Sequence, residues 1–111
     1  MISRKDINGV TVLNISGQLD HHEVVNLKNE VNTLIQEHRF KLVLGLADVD
    51  RVDFLSLCVL VETRRELKAR QGDLKLAALK QGVTNFISTV GGNGQLPTFR
   101  NVTEAARSYT R

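Results

Sequence analysis

The chain has 111 residues, of which 41% are hydrophobic and 24% are charged. This length and composition suit one domain that buries its own core without a metal, and a single cysteine excludes an internal disulfide. The net charge of +3 comes from 15 basic and 12 acidic residues, and only 5% of the residues are aromatic. No block of five like charges occurs, so the composition argues against a nucleic-acid partner.

The sequence also argues against insertion into a membrane. No apolar run approaches the roughly 20 residues that a membrane-spanning helix needs. No window has the charged, apolar and small-residue layout of a secretory signal. We therefore expect a cytoplasmic protein, and association with a membrane complex stays open.

The first 15 residues predict a β-hairpin. Residues 2–7 and 10–15 form its two strands, because Asn8-Gly9 suits the positive φ angles of a type I′ turn. In the second strand Val10 and Val12 face one side of the predicted sheet, and Leu13 faces the other. A sharp change of chain direction is expected after this strand, at Gly17.

The first predicted helix covers residues 23–36, with Asp20 as its N-cap. Apolar residues recur at helical spacing and predict one buried face, formed by Val24, Leu27, Val31, Leu34 and Ile35. The pair His21-His22 precedes this helix. Neighbouring helical residues point in different directions, and no cysteine or third histidine lies close in sequence, so we predict no metal site.

The middle of the chain predicts a buried strand, a tight turn and a long helix. The strand covers residues 41–46 and ends near Leu46, because this short run is apolar and bounded by polar residues. Asp53 is the predicted N-cap of the helix, which continues to the region of Arg70. The stop signal is Gly72.

Cys58 lies in an apolar run of this helix and is predicted to be a small buried hydrophobe. Together with His21 or His22 it is the only pair of nucleophile and base that the sequence offers. An enzyme needs convergent titratable groups in a pocket, so we do not predict catalysis. A small enzyme that uses Cys58 remains the alternative from another functional class.

The last third of the chain predicts two more strands and two short helices. Residues 73–79 alternate as a strand, and residues 83–90 have helical spacing that the glycine-rich run 91–94 must end. Thr98-Phe99 is a predicted short strand. Residues 102–109 form a predicted closing helix, with Asn101 or Thr103 as its cap.

Two stretches of this sequence match a known family. Residues 17–22, Gly-Gln-Leu-Asp-His-His, stand where the family has Gly-Glu-Leu-Asp, followed in sporulation members by two histidines. Residues 53–58, Asp-Phe-Leu-Ser-Leu-Cys, stand where the family has Asp-Ser-Ser-Gly-Leu-Gly. Over about residues 10–106 the chain resembles the STAS domain of bacterial anti-sigma factor antagonists. These small proteins free a sigma factor by sequestering its anti-sigma kinase.

The second stretch also departs from the family. In the family the second serine receives the phosphate, and Leu55 stands at that position here. An alkyl side chain cannot be phosphorylated, so the phosphoacceptor motif is degenerate. Ser56 is a displaced candidate, because its hydroxyl follows by one residue and lies near the positive end of the helix dipole.

The residue pattern and the resemblance together predict one STAS-like domain over residues 1–111. Its fold class is α/β, with a mixed sheet of four to five strands and helices mainly on one face. The resemblance implies a protein-binding regulator without cofactor or metal, whose partner is an anti-sigma factor with serine kinase activity or a related regulatory protein. A STAS subunit of a membrane transport complex is the alternative.

The resemblance also implies where the partner binds. Phe54 and Leu55 bring large apolar side chains to a helix start, where they either fold into the core or form part of a partner surface; we favour the surface. The predicted partner-binding residues are Asp20, His21, Asp53, Phe54, Leu55, Ser56 and Leu57.

Overall fold

Strands and helices alternate after an initial hairpin in the computed structural model, which describes residues 1–92 and 94–110. Within these residues the elements are β1 (Ile2–Ile7), β2 (Val10–Leu19), α1 (His21–Gln36), β3 (Lys41–Val52), α2 (Phe54–Lys68), β4 (Asp73–Ala77), α3 (Gln81–Thr89), β5 (Thr98–Phe99) and α4 (Val102–Arg107). A 3₁₀ turn, Ser108–Thr110, follows α4. No helix in the described chain is both long and apolar enough to cross a bilayer.

The five strands form one sheet in the order β1-β2-β3-β4-β5. The β1–β2 pair is antiparallel and the other three pairs are parallel, so the sheet is mixed. Parallel strands added in one direction with right-handed crossovers place their connecting helices on the same face. Helices α1, α2 and α3 accordingly pack on one face and α4 packs on the other, which confirms the predicted fold class.

Each face of the sheet buries its own apolar layer. The larger layer joins the sheet to α1, α2 and α3, and its members include Leu13, Leu34, Leu44, Leu60 and Ile87. The smaller layer lies under α4 and contains Val10, Val12, Val43, Ala77, Ala105 and Ala106. The predicted alternation of β2 is confirmed, because Val10 and Val12 face α4 whereas Leu13 faces the other helices.

The predicted hairpin and the predicted start of α1 are confirmed. Asn8 and Gly9 have φ angles of 49° and 84°, as the turn between β1 and β2 requires. The Asp20 carboxylate accepts hydrogen bonds from the backbone N–H groups of His22 and Glu23, each at 3.1 Å. Asp20 therefore satisfies two of the N–H groups that a helix start leaves without partners.

Two predicted strand ends are wrong, because both strands run further. β2 continues through Gly17, whose φ is 95°, to Leu19, and β3 continues past Leu46 to Val52. The pairing between them shifts register at two points, between Asn14 and Ser16 and between Gly17 and Gln18. These β-bulges change the chain direction within the strands instead of ending them.

The predicted end of α2 is confirmed within two residues, and Gly72 is part of its stop signal. The helix stops at Lys68, and Gln71 adopts the left-handed conformation, with φ of 67°. The Gly72 N–H donates to the carbonyl of Leu67 at 2.8 Å, as in a Schellman motif. Gly72 is required for space, since a Cβ there would collide with the backbone of Phe40.

The C-terminal elements match the prediction, although β4 and α4 are shorter than predicted and α3 begins two residues earlier. β4 ends at Ala77, and Asn101 caps α4 by accepting a 2.8 Å hydrogen bond from the Glu104 N–H. The glycine-rich run does follow α3, although Asn93 within it lies outside the described residues. Tyr109 lies beyond α4 and donates its hydroxyl to the carbonyl of Leu42 at 2.7 Å, which ties the C-terminal segment to β3.

Candidate functional site

The N-termini of α1 and α2 lie side by side at one edge of the sheet. β2 and β3 are parallel neighbours that end at the same edge, and each helix begins directly after its strand. Asp20 and Asp53, the two N-caps, therefore lie close together. The Asp53 N–H donates to the carbonyl of Leu19 at 3.2 Å, which fixes the second cap against the end of β2.

Both cap carboxylates are held in the ionised form. The Ser56 side chain and backbone N–H lower the pKa of Asp53, and the neighbouring charge of Asp20 opposes this effect. The pKa of Asp20 is lowered, first of all by its hydrogen bond from the Glu23 N–H. Positive charge on His21 favours the ionised form of both carboxylates. This edge therefore combines two anionic caps with the neighbouring pair His21 and His22.

Ser56 points into the protein. It is fully buried, and its backbone N–H donates to the Asp53 carboxylate at 2.8 Å. Its hydroxyl lies near the same carboxylate and lowers its pKa, yet the Ser56 Oγ lacks the geometry of a hydrogen bond to any described group. A kinase could reach this hydroxyl only if the first turn of α2 moved.

Phe54 and Leu55 lie on the surface at the start of α2. Their exposed fractions are 55% and 67%, which favours a surface role over a place in the core. Consecutive helical residues point about 100° apart, so the two side chains border different depressions. Phe54 borders one between α2 and α3, together with Val83 and Phe86, and Leu55 borders one between α1 and α2.

The depression between α1 and α2 has a volume of about 580 Å³. We call it the α1–α2 groove, and its lining residues are His21, Val24, Val25, Lys28, Leu55, Cys58, Val59, Glu62 and Thr63. Apolar side chains from both helices dominate the lining, and charged residues stand at the ends. The start of α2 therefore continues into an open apolar surface.

Two of the predicted partner-binding residues have buried side chains. Ser56 and Leu57 are not part of the exposed surface at the start of α2. Both belong to the inward face of α2 and position the turn. The other predicted residues are at least partly exposed at the same edge, and they are Asp20, His21, Asp53, Phe54 and Leu55.

The prediction for Cys58 is wrong, because the residue is exposed. It lines the α1–α2 groove together with His21, the base considered for a catalytic pair. No hydrogen bond links the Cys58 thiol to His21 in the described part of the chain. Nor do three or more His, Cys, Asp or Glu side chains among those residues converge as metal ligands would.

Sequence reasoning missed the groove itself, chiefly Val25 and Val59. Val24 lies on the buried face of α1. Val25, the next residue, has an exposed fraction of 56%. An apolar residue on the polar side of an amphipathic pattern is the signal that could have identified this surface.

A family model described as "STAS domain" matches residues 1–105 of this chain. The match covers β1 to β5 and most of α4, and it includes every residue of the candidate site. It therefore spans both cap aspartates and the turn between them.

Solved structures share the fold at low sequence identity. A candidate anti-sigma factor antagonist from Thermotoga maritima is 21% identical, with a TM-score of 0.90 over 99% of this chain and 95% of that one. The Bacillus protein SpoIIAA is 18% identical over all of this chain. Its unphosphorylated form, described as an anti-sigma factor antagonist, has a TM-score of 0.76 over 98% of that chain, and its phosphorylated form has 0.72 over 100%. A sulfate transporter family protein from Wolinella succinogenes is 19% identical, with a TM-score of 0.78 over 94% of this chain and 87% of that one.

Proposed function

Since this chain belongs to the STAS domain family, we propose that it is a cytoplasmic, protein-binding regulator that acts as an anti-sigma factor antagonist. In this role it sequesters an anti-sigma factor with serine kinase activity, or a related regulatory protein, and so releases a sigma factor. The similar structures of anti-sigma factor antagonists support this class of function.

One observation carries the proposal: Phe54 and Leu55 are large apolar side chains exposed at a capped helix start. Exposed apolar residues, aromatic ones in particular, that are surrounded by a polar rim are typical of a protein interface. Asp20, His21 and Asp53 supply the charges around this pair. The partner surface therefore centres on Phe54 and Leu55.

We also propose that phosphate at this turn does not switch the complex off. Leu55 has no hydroxyl, and the Ser56 hydroxyl faces the protein interior. A phosphate on Ser56 would add roughly two negative charges to this buried position. The Asp53 carboxylate lies beside it, and like charges repel. Both features support a regulator whose partner binding is controlled by abundance or by competition.

The transporter and enzyme alternatives have weaker support. The sulfate transporter family protein shares the fold at 19% identity, which does not distinguish a transport subunit from a regulator. For catalysis, the Cys58 thiol has no hydrogen-bonded base within residues 1–92 and 94–110, and nothing there orients His21 toward it. A small enzyme also leaves the exposed pair at the start of α2 without a role.

Affinity capture from the native cell tests the proposed function. The tagged protein should retain an ATP-binding anti-sigma factor, and the variant with Phe54→Ser and Leu55→Ser should retain much less of it. Asn29→Glu, on the far flank of α1, is the matched control and should behave as the wild type. Recovery of a transporter ATPase in place of an anti-sigma factor would favour the transport alternative.

A further inference from the structure

The α1–α2 groove exposes apolar side chains that nothing in the described structure covers. Val25 and Leu55, on opposite helices, are 56% and 67% exposed, and both line it together with Cys58 and Val59. Contiguous exposed apolar surface of this kind favours association with another surface. Leu55 lies at the end of the groove where α2 begins, and it also belongs to the proposed partner surface.

The two walls of the groove carry opposite charges. His21 and Lys28 line it on α1, whereas Glu62 lines it on α2. Lys28 also reaches across to Glu66 at 3.0 Å, one turn further along α2. Glu62 in turn pairs with Arg65 of its own helix at 2.7 Å. Both ion pairs are at least partly exposed, so each contributes little and can exchange partners. A basic wall facing an acidic wall is the pattern that a second copy can match.

We infer that the α1–α2 groove binds a second copy of this chain, in a dimer whose two-fold axis runs parallel to the two helices. Rotation about such an axis places α1 of one copy opposite α2 of the other. The apolar centres then cover each other, and Lys28 of each copy meets Glu62 of the second copy. The interface is isologous, so every such contact forms twice.

The size of this surface is typical of a weak, transient dimer. α1 has 16 residues, so it is about 24 Å long at 1.5 Å per residue. Two neighbouring helices present a face about 20 Å wide, so the dimer buries roughly 1,000 Å² in total, at the lower end of specific interfaces. The dimer is therefore weak and depends on protein concentration. Because it buries Leu55, it competes with the regulatory partner.

Sedimentation equilibrium of the purified protein, over about 1 µM to 1 mM, covers the range of a weak dimer. The wild type should associate reversibly to a dimer. Val25→Glu places a charge in the apolar centre and should weaken association by about tenfold or more. Asn29→Glu is the matched control, because it adds the same charge on the opposite flank of α1, and it should leave the dimer unchanged.

Charge reversal tests the geometry of the interface. Lys28→Glu sets two glutamates against each other in the dimer, and Glu62→Lys sets two lysines against each other, so each variant alone should be monomeric. An equimolar mixture pairs unlike charges at both contacts and should restore the dimer. A folding defect in either variant would not be repaired by mixing.

Three results would overturn the dimer. They are a wild type that stays monomeric at about 1 mM, an association that Val25→Glu leaves unchanged, and a mixture of the charge variants that stays monomeric. If the wild type is monomeric while Val25→Glu weakens capture of the anti-sigma factor, the groove belongs to that partner. The sedimentation measurements need no partner protein, so failure of the dimer is distinguishable from failure of the proposed function.

Discussion

The backbone N–H of Ser56 donates a 2.8 Å hydrogen bond to the carboxylate of Asp53, and this contact determines which side chains at the start of α2 reach solvent. With Ser56 as the third helical residue, Ser56 and Leu57 face inward, whereas Phe54 and Leu55 stay outside. The cap thus connects the stability of α2 to the shape of the proposed partner surface.

Replacing Asp53 by Ala should lower the free energy of unfolding by about 0.5–2 kcal/mol, because the Ser56 N–H loses its acceptor. Urea denaturation followed by circular dichroism measures this change. Asp53→Asn keeps an oxygen acceptor and is the matched control, with a smaller loss. Equal stability of Asp53→Ala and the wild type would contradict the capping role.

Gly72→Ala should destabilise the protein by about 1–3 kcal/mol, since the added Cβ meets the Phe40 backbone, which cannot move aside without disturbing β3. Gly82→Ala in α3 adds the same group in open space and should be neutral or stabilise by up to about 1 kcal/mol. Thermal unfolding of the two variants gives the comparison. A neutral Gly72→Ala variant would show that the α2–β4 turn is not held by this close approach.

Tyr109, the single tyrosine, reports on the C-terminal segment. Burial raises the pKa of its phenol above the ordinary value of 10.0. The folded state therefore keeps the phenol neutral while the unfolded state ionises, so the free energy of unfolding falls as pH rises above about 10. Phenolate absorbance should appear together with loss of helical circular dichroism, whereas ionisation with the helix signal unchanged would contradict a buried phenol. Tyr109→Phe should lower the free energy of unfolding by about 0.5–1.5 kcal/mol at neutral pH.

The sequence predicts every strand and helix of this fold, and its errors have a physical cause. Polar residues bound the apolar run 41–46, so the sequence predicts that β3 ends near Leu46. The buried residues that follow, Val49 and Val52, are three residues apart. A regular strand buries every second residue. The bulged pairing with β2 breaks that period, and a bulge depends on the neighbouring strand, so residues 47–52 alone do not reveal it.

Features of the candidate site that depend on the local sequence are predictable, whereas features that depend on helix packing are not. Asp20 and Asp53 were predicted as caps from their position before a helical pattern. Cys58 was predicted to be buried because its neighbours are apolar, yet the groove between α1 and α2 leaves it exposed. A helix face can have the same amino-acid composition whether a neighbouring helix covers it or leaves it exposed. The exposure of Cys58 therefore depends on how α1 and α2 pack together.

Ser56 should receive no phosphate when the protein is incubated with its cognate anti-sigma kinase and ATP, because its hydroxyl is buried. Mass spectrometry of the intact protein and of its peptides measures the modification. Ser56→Ala is the matched control, and its spectrum should show the same phosphate content as the wild type. Stoichiometric phosphate on Ser56, with release of the partner, would show that a displaced switch operates.

The affinity of the captured anti-sigma factor for the variant with Phe54→Ser and Leu55→Ser tests the central claim most directly. Isothermal titration calorimetry should give binding weaker than that of the wild type by about tenfold or more. Thermal unfolding should be nearly unchanged, because both side chains are exposed, and Asn29→Glu, on the far flank of α1, should bind as the wild type. Unchanged affinity of the double variant would contradict a partner surface at the start of α2.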